Sequence, residues 1–285
     1  MSPVSDSMNA DIKSVLWNVV GGVLVLILGA TWTCCRLRLH FYHLQRLLGF
    51  RFEPQTEVRI TYGQLFLPAQ IDADGNPIAH PYRKQPRAAG GAPLHDAYSI
   101  EHPVSQCEVR ASTYIAALLG LPRTVRQLLV SDAEVDALLE SNFISLGGSG
   151  SNFKTADILA SPANIFLHSM TPEGFILAGQ PVPLPYTCDG HVDYGFILRV
   201  RPTEFPRHSW IVCAGLGEWG TSGSAWFLAR RWEVLIRSIH PFAYYAGFSS
   251  IPDFFAIIRV ICGQDQSARI ERIYRNISGQ SRRVV

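Results

Sequence analysis

Excess charge of either sign is missing from this chain. Lysine and arginine number 25 against 23 aspartates and glutamates, a net charge of +2. With a pI near 8.2 and no basic block, the polyelectrolyte surface that duplex nucleic acid requires is excluded. Metal-ligand spacing is missing as well. The six cysteines (Cys34, Cys35, Cys107, Cys188, Cys213 and Cys262) contain no C-x-x-C pair. They read as reduced, partly buried thiols of a cytosolic domain, not as a disulfide framework. Asp189, His191 and Asp193 alternate within one segment, but no further ligand follows at a diagnostic distance. Nor does the chain hold a G-x-S-x-G elbow, a Walker G-K-[ST] ending, or an H-E-x-x-H among its nine histidines. No catalytic residue, required cofactor or metal is assigned, and no internal repeat occurs.

What is present begins with a long apolar run. Ser14 to Cys35 is 22 residues without a charge, enough to cross a bilayer as a helix. Trp17 and Trp32 stand near its ends, where interfacial aromatics belong. Arg36, Arg38, Arg46 and Arg51 follow it, whereas Asp6, Asp11 and a lone Lys13 precede it. That asymmetry orients the N-terminus outward and the rest of the chain into the cytoplasm. A cleaved signal peptide would want the basic residues on the other side. Ser14, Asn18, Gly22, Gly29 and Thr33 form a small and polar stripe along this helix. Such a stripe permits close helix approach and is expected to drive self-association, with a polar path as the sharper expectation. Arg36 to Gly49 keeps helical spacing and reads as a basic stalk that ends before Pro54.

The remainder alternates strand and helix patterns. Glu57 to Leu67 reads as a first strand and Ala69 to Ser99 as a long loop, with Lys84 and Arg87 in it. Val104 to Leu119 is an amphipathic helix and Val125 to Val130 a strand. Ser131 and Glu134 have the spacing of a capping box for a further helix. Strands are expected at Asn164 to His168 and Phe196 to Val200, a hairpin or excursion at Gly174 to Pro185, and a C-terminal hairpin across Asp253 to Tyr274. The end from Ser278 on is basic and reads as a loose tail.

Two glycine-rich turns carry the functional signal. The apolar run Trp210 to Ala214 enters Gly215-Leu216-Gly217-Glu218-Trp219-Gly220-Thr221, a formal G-x-G-x-x-G with a helical pattern behind it. Asn142 to Leu146 likewise enters Gly147-Gly148-Ser149-Gly150-Ser151-Asn152, followed by a helical stretch with Lys154 and Thr155. Strand, glycine turn, helix presents backbone N–H groups to an anionic ligand. On neighbouring parallel strands both turns would face one crevice. Lys154 would bring a positive charge to it; Ser149, Ser151, Asn152 and Thr155 would bring hydrogen bonds. Glu218 is the best acid for a general base or a sugar hydroxyl. Asp193 and Tyr194 would contact a ribose or base, or Asp193 would cap a turn. A dinucleotide site would also want an acid about twenty residues beyond the turn; the segment SIHPFAYYAGFSS supplies none.

A single membrane helix ahead of an α/β, Rossmann-like domain with these two turns resembles the membrane effectors of prokaryotic antiphage systems. Their sensor domains are of the SLOG or CARF type, and the membrane component of the two-gene Hailong system is one such protein. The Gly147–Asn152 and Gly215–Thr221 turns carry the resemblance. It implies a nucleotide or oligonucleotide signal made by a partner nucleotidyltransferase, a homo-oligomer, and an ion channel in the cell inner membrane. The layout expected is an extracytoplasmic start (1–13), a membrane helix (14–35), a stalk (36–54), a nucleotide-sensing domain (55–276) and a tail (277–285). A membrane-tethered enzyme cleaving an N-glycosidic or phosphate bond is the alternative.

Overall fold

The computed structural model describes residues 4–64, 104–122, 124–135, 139–240 and 251–284, with side chains from residue 17 on. The loop with Lys84 and Arg87, and the segment 241–250, lie outside the described residues. The chain divides into two units, Met1–Gln45 and Arg46–Val285.

The first unit is nearly all of helix α1, which runs as one 45-residue rod from Val4 to Leu48. At 1.5 Å per residue that is roughly 67 Å, about twice a hydrocarbon core. It is the one helix among the described residues long and apolar enough to cross a membrane. Trp17, Leu24, Leu26, Leu28 and Trp32 are all exposed in the chain by itself. Asn18 and Gly22 are exposed on the same rod, while the Thr33 hydroxyl donates to the Gly29 carbonyl at 2.8 Å. That bond satisfies the hydroxyl within its own helix. The side chain of Ser14 lies outside the described residues. Helix α1 stops at Gly49, whose φ of +83° is the left-handed conformation that ends helices and suits glycine.

The second unit is built on an eight-stranded mixed sheet. Its strands are β1 (Glu57–Tyr62), β2 (Arg126–Ser131), β3 (Asn142–Leu146), β6 (Val192–Val200), β7 (Trp210–Gly215), β8 (Phe254–Ile261), β9 (Gln264–Ile277) and β10 (Gln280–Arg283). The order is β10-β9-β8-β6-β7-β3-β1-β2. Strands β2, β1, β3 and β7 run parallel, with Ile60 opposite Ile144 and Ile144 opposite Ile211. Strands β6, β8, β9 and β10 continue the sheet antiparallel. The chain leaves β1 for β2 on one side and returns to β3 on the other, so the strand order reverses at β1.

Both faces of the sheet are covered, which is why β3 and β7 read as unbroken buried runs. Helices α2 (Gln106–Gly120) and α4 (Glu218–Ile239) pack together over one face. Helix α3 (Phe153–Ala160) and a separate ribbon, β4 (Leu167–Thr171) with β5 (Gly174–Leu177), are placed with the other. There Phe175 meets Phe196 and Phe255 edge-on at 5.9 and 6.1 Å. Each such buried ring contributes about 2–3 kcal/mol.

Three local expectations are corrected. Ser131 opens a single 3-10 turn, Asp132–Glu134, and not an α-helix; its hydroxyl accepts from the Ala133 N–H. The strand expected at Asn164 starts at Leu167, because the Asn164 side chain bonds the carbonyls of Leu159 and Leu167 and holds a turn. The tail is no loose end. Ser278 and Gly279 both take positive φ, and this two-residue turn folds β10 back on β9.

Arg199 on β6 is fully buried. It donates to the carbonyls of Arg46 and Leu47 at 2.9 Å each and to that of Ile251, and it pairs with Asp253 at 3.2 Å. Burial, with Arg201 beside it, lowers its pKa to about 10, so it stays charged at neutral pH. Arg199→Met removes the guanidinium donor from the Arg46 and Leu47 carbonyls and leaves the Ile251 carbonyl and Asp253 with their bonds from Arg201 alone. A loss of about 3–5 kcal/mol is expected in urea unfolding of the detergent-solubilised chain, and a loss under 1 kcal/mol would show the pairing to be dispensable.

Candidate functional site

At the carboxyl ends of β3 and β7 the two glycine-rich turns lie side by side and line one cleft of about 610 Å³. From the expected set, Gly147, Gly148, Ser149, Gly150, Ser151, Gly215, Gly217, Glu218 and Thr221 reach its wall. Ser105, Cys107 and Glu108 at the start of α2, Met170, Thr171 and Pro172 of the β4–β5 ribbon, Cys188 and Leu216 complete it.

The Gly215 turn differs from expectation in what its N–H groups do. Asp193, fully buried, reaches into the first turn of α4. Its Oδ1 accepts from Gly217 N at 3.0 Å and from Tyr194 N at 2.7 Å, and its Oδ2 from Gly220 N at 2.6 Å. Burial pushes the Asp193 carboxyl up, and the N–H groups of Gly220, Tyr194, Gly217 and Trp219 pull it back down. A protein carboxylate therefore occupies the place expected for a ligand phosphate. The glycines make this possible. A Cβ on Gly195 would collide with the Gly220 carbonyl oxygen, and one on Gly220 with the Tyr194 carbonyl. Strand β6 and the α4 turn can interlock only without those atoms.

The helix side of the Gly147 turn is also held from within. Asn152 caps α3, its Oδ1 accepting from Thr155 N at 3.1 Å, and its amide donates to the carbonyls of Leu146 and Thr61 at 2.8 and 3.3 Å. The Phe153 N–H goes to Asp132 Oδ2 at 2.7 Å. Thr155 is buried and donates to the Gly147 carbonyl at 2.9 Å. Asn152, Thr155, Asp193 and Gly220 thus build the cleft from behind and do not line it.

Three further residues point elsewhere. Lys154 is fully buried, its Nζ over the rings of Phe143 and Trp210 at 4.3 and 4.5 Å, so it is not the expected cation of the cleft. Its neighbour Phe153 takes the outward position on the helix, at 56% exposure. The Tyr194 ring stacks on Tyr186 at 4.7 Å, in the aromatic core. Trp219 lies under the Arg110 guanidinium at 4.0 Å, and Arg110 also faces Asp265 at 3.7 Å.

Glu108 is the residue that sequence reasoning passed over. It stands on the same side of α2 as the buried Ala111, Ile115 and Leu119, and is 2% exposed. A glutamate on the apolar face of an amphipathic helix was the available signal. Its Oε2 accepts from Gly63 N, at the end of β1, at 2.7 Å. Gly147, at φ +97°, leaves room for the same carboxylate; a Cβ there would strike Oε1. Burial raises the Glu108 pKa to about 7, against the pull of the Gly63 N–H and Ser151 and with a further push from Asp132. Cys107 beside it is held as a thiol, since burial outweighs the Ser105 hydroxyl 2.9 Å away. A protonated thiol is a weak nucleophile.

Among the described residues, no lysine, arginine or histidine lines the cleft, and no three His, Cys, Asp or Glu side chains group so as to hold a metal ion. No family model matches the chain, and no curated protein matches it in sequence.

Glu108 makes stability depend on pH in a definite direction. The unfolded chain releases this proton near 4.5 and the folded chain near 7. The folded state therefore binds more protons in that window, and stability falls as pH rises through it. Glu108→Gln keeps an acceptor for Gly63 and removes the loss. It is expected to be more stable than the parent by about 3 kcal/mol at pH 8 and equal to it at pH 4. Urea midpoints at the two pH values measure this; an equal difference at both would assign the effect to packing.

Proposed function

We propose that this protein is a membrane-anchored sensor with a Rossmann-like ligand domain, in which a nucleotide-class ligand in the cleft controls association of the membrane helix. The observation that carries this reading is the shared cleft: two glycine-rich strand–helix turns on adjacent parallel strands wall a single space of ligand size. That edge of an α/β sheet, beside a reversal of strand order, is where such sheets bind ligands. The long apolar helix supplies the membrane end, with the N-terminus outside and the sheet unit in the cytoplasm by the positive-inside rule.

The output follows the effectors that the chain resembles. The signal comes from a partner nucleotidyltransferase, several copies associate in the inner membrane, and their helices permeabilise it as an ion channel in antiphage defence. A ligand can drive this only by binding one assembly state better than the other; a tenfold difference shifts the balance by about 1.4 kcal/mol. A second reading is a tethered enzyme that cleaves an N-glycosidic or phosphate bond. Glu108 favours it, since a carboxyl near pKa 7 in a cleft is suited to general acid–base work.

Gly150 provides a clean test, because a Cβ there meets nothing within 4 Å. Gly150→Trp is expected to fold normally, to fill the cleft mouth and to abolish ligand-dependent oligomerisation in native mass spectrometry. Full ligand response in this variant would remove the cleft from the mechanism. Asn18→Leu is expected to leave ligand binding intact and to lower dye leakage from proteoliposomes at least about tenfold, since it removes a polar contact between helices. Turnover of nucleotides by the parent but not by Glu108→Gln, followed by chromatography, would favour the enzyme.

A further inference from the structure

Resting on that reading, we infer that the cleft receives the uncharged, hydroxyl-bearing part of its ligand, a ribose or similar sugar ring, and keeps phosphate outside. Helices α2, α3 and α4 all begin at this cleft, and each beginning already meets a carboxylate of the protein. Helix α2 carries Glu108 in its own first turn. Helix α3 gives its Phe153 N–H to Asp132. Helix α4 gives the N–H groups of Gly217 and Gly220 to Asp193 and carries Glu218 in its first turn. The partial positive charge that a helix start offers an anion is thus taken up three times over.

The cations near these elements are engaged elsewhere. Lys154 sits over the Phe143 and Trp210 rings, and Arg110 over Trp219 beside Asp265. The exposed Glu218 carboxylate lines the ligand space, the buried Glu108 carboxyl lies in its wall bonded to the Gly63 N–H, and no basic residue lines it among the described residues. A phosphate about 5 Å from the Glu218 carboxylate would bind roughly tenfold weaker for repulsion alone. A sugar hydroxyl meets the opposite condition. Carboxylates are pure acceptors, and each hydroxyl has a proton to donate. Ser149 and Thr171 add hydroxyls, while Met170 and Leu216 provide apolar wall for a ring. A nucleoside fits a space of about 610 Å³.

The test is isothermal titration of the full detergent-solubilised chain with four ribonucleosides, their 2′-deoxy forms and their 5′-monophosphates. At least one ribonucleoside is expected to bind. Its 5′-monophosphate should bind no tighter, and its 2′-deoxy form about tenfold weaker. Glu218→Gln should lose about tenfold for the same ribonucleoside, and Gly150→Trp should lose binding altogether. A monophosphate that binds ten times tighter than its nucleoside, and is still blocked by Gly150→Trp, would overturn this inference and leave the nucleotide reading standing. So would a Glu218→Gln variant with unchanged ribonucleoside affinity. No binding by any of the twelve compounds would overturn both.

Discussion

The buried carboxylate of Asp193 is the constraint on which the functional edge depends. It ties the start of β6 to the first turn of α4 through N–H groups that would otherwise have no partner inside the protein. A buried carboxylate is costly unless its oxygens are fully bonded, and a helix start is costly unless its N–H groups are. Each resolves the other's need. The bond also sets a distance: β6 must come close enough for Asp193 to reach, so Gly195 and Gly220 must lack side chains. The position of Gly217 and Glu218 on the cleft wall follows from that contact.

Repetition of this device determines the sign of the site. Asp132 does for α3 what Asp193 does for α4, and Glu108 holds the end of β1 through Gly63. The glycines that would open such turns to a phosphate instead admit the protein's own carboxylates. The result is a cleft with hydroxyls, apolar wall and two glutamates. Glu108 is desolvated enough to hold its proton to about pH 7. This protonation makes it a donor below neutrality and an acceptor above, so the cleft changes hydrogen-bonding character within the physiological range.

The two units differ in where their apolar side chains lie. The sheet unit hides its apolar runs beneath helices on one face and beneath α3 and the β4–β5 ribbon on the other. The α1 rod exposes its apolar side chains between Trp17 and Leu39, and it is long and apolar enough to cross a membrane. Arg199 closes the sheet unit near residue 47, where its buried guanidinium donates to the backbone carbonyls of Arg46 and Leu47.

The sequence by itself determined the elements whose signal is local. A charge-free run of 22 residues is a long apolar helix whatever follows it, and unbroken apolar stretches such as Trp210 to Ala214 are buried strands. The two glycine turns were legible for the same reason, since turn chemistry is set by neighbours in the chain. That β3 and β7 pair directly, so that both turns wall one cleft, was decided by the tertiary structure. So was the pairing of β6 with β8, which lie far apart in the chain, whereas the β8–β9 hairpin follows from its local turn. The direction of each side chain was also settled by the tertiary structure. Lys154 and Phe153 are adjacent, and helix geometry sends one under two aromatic rings and the other to solvent. Asp193 lies 24 residues before Gly217, Glu108 45 residues after Gly63, and their bonds exist only because the strands bring those positions together. The chemistry of a helix start can be read along the chain; which acceptor fills it is a matter of what the fold places opposite.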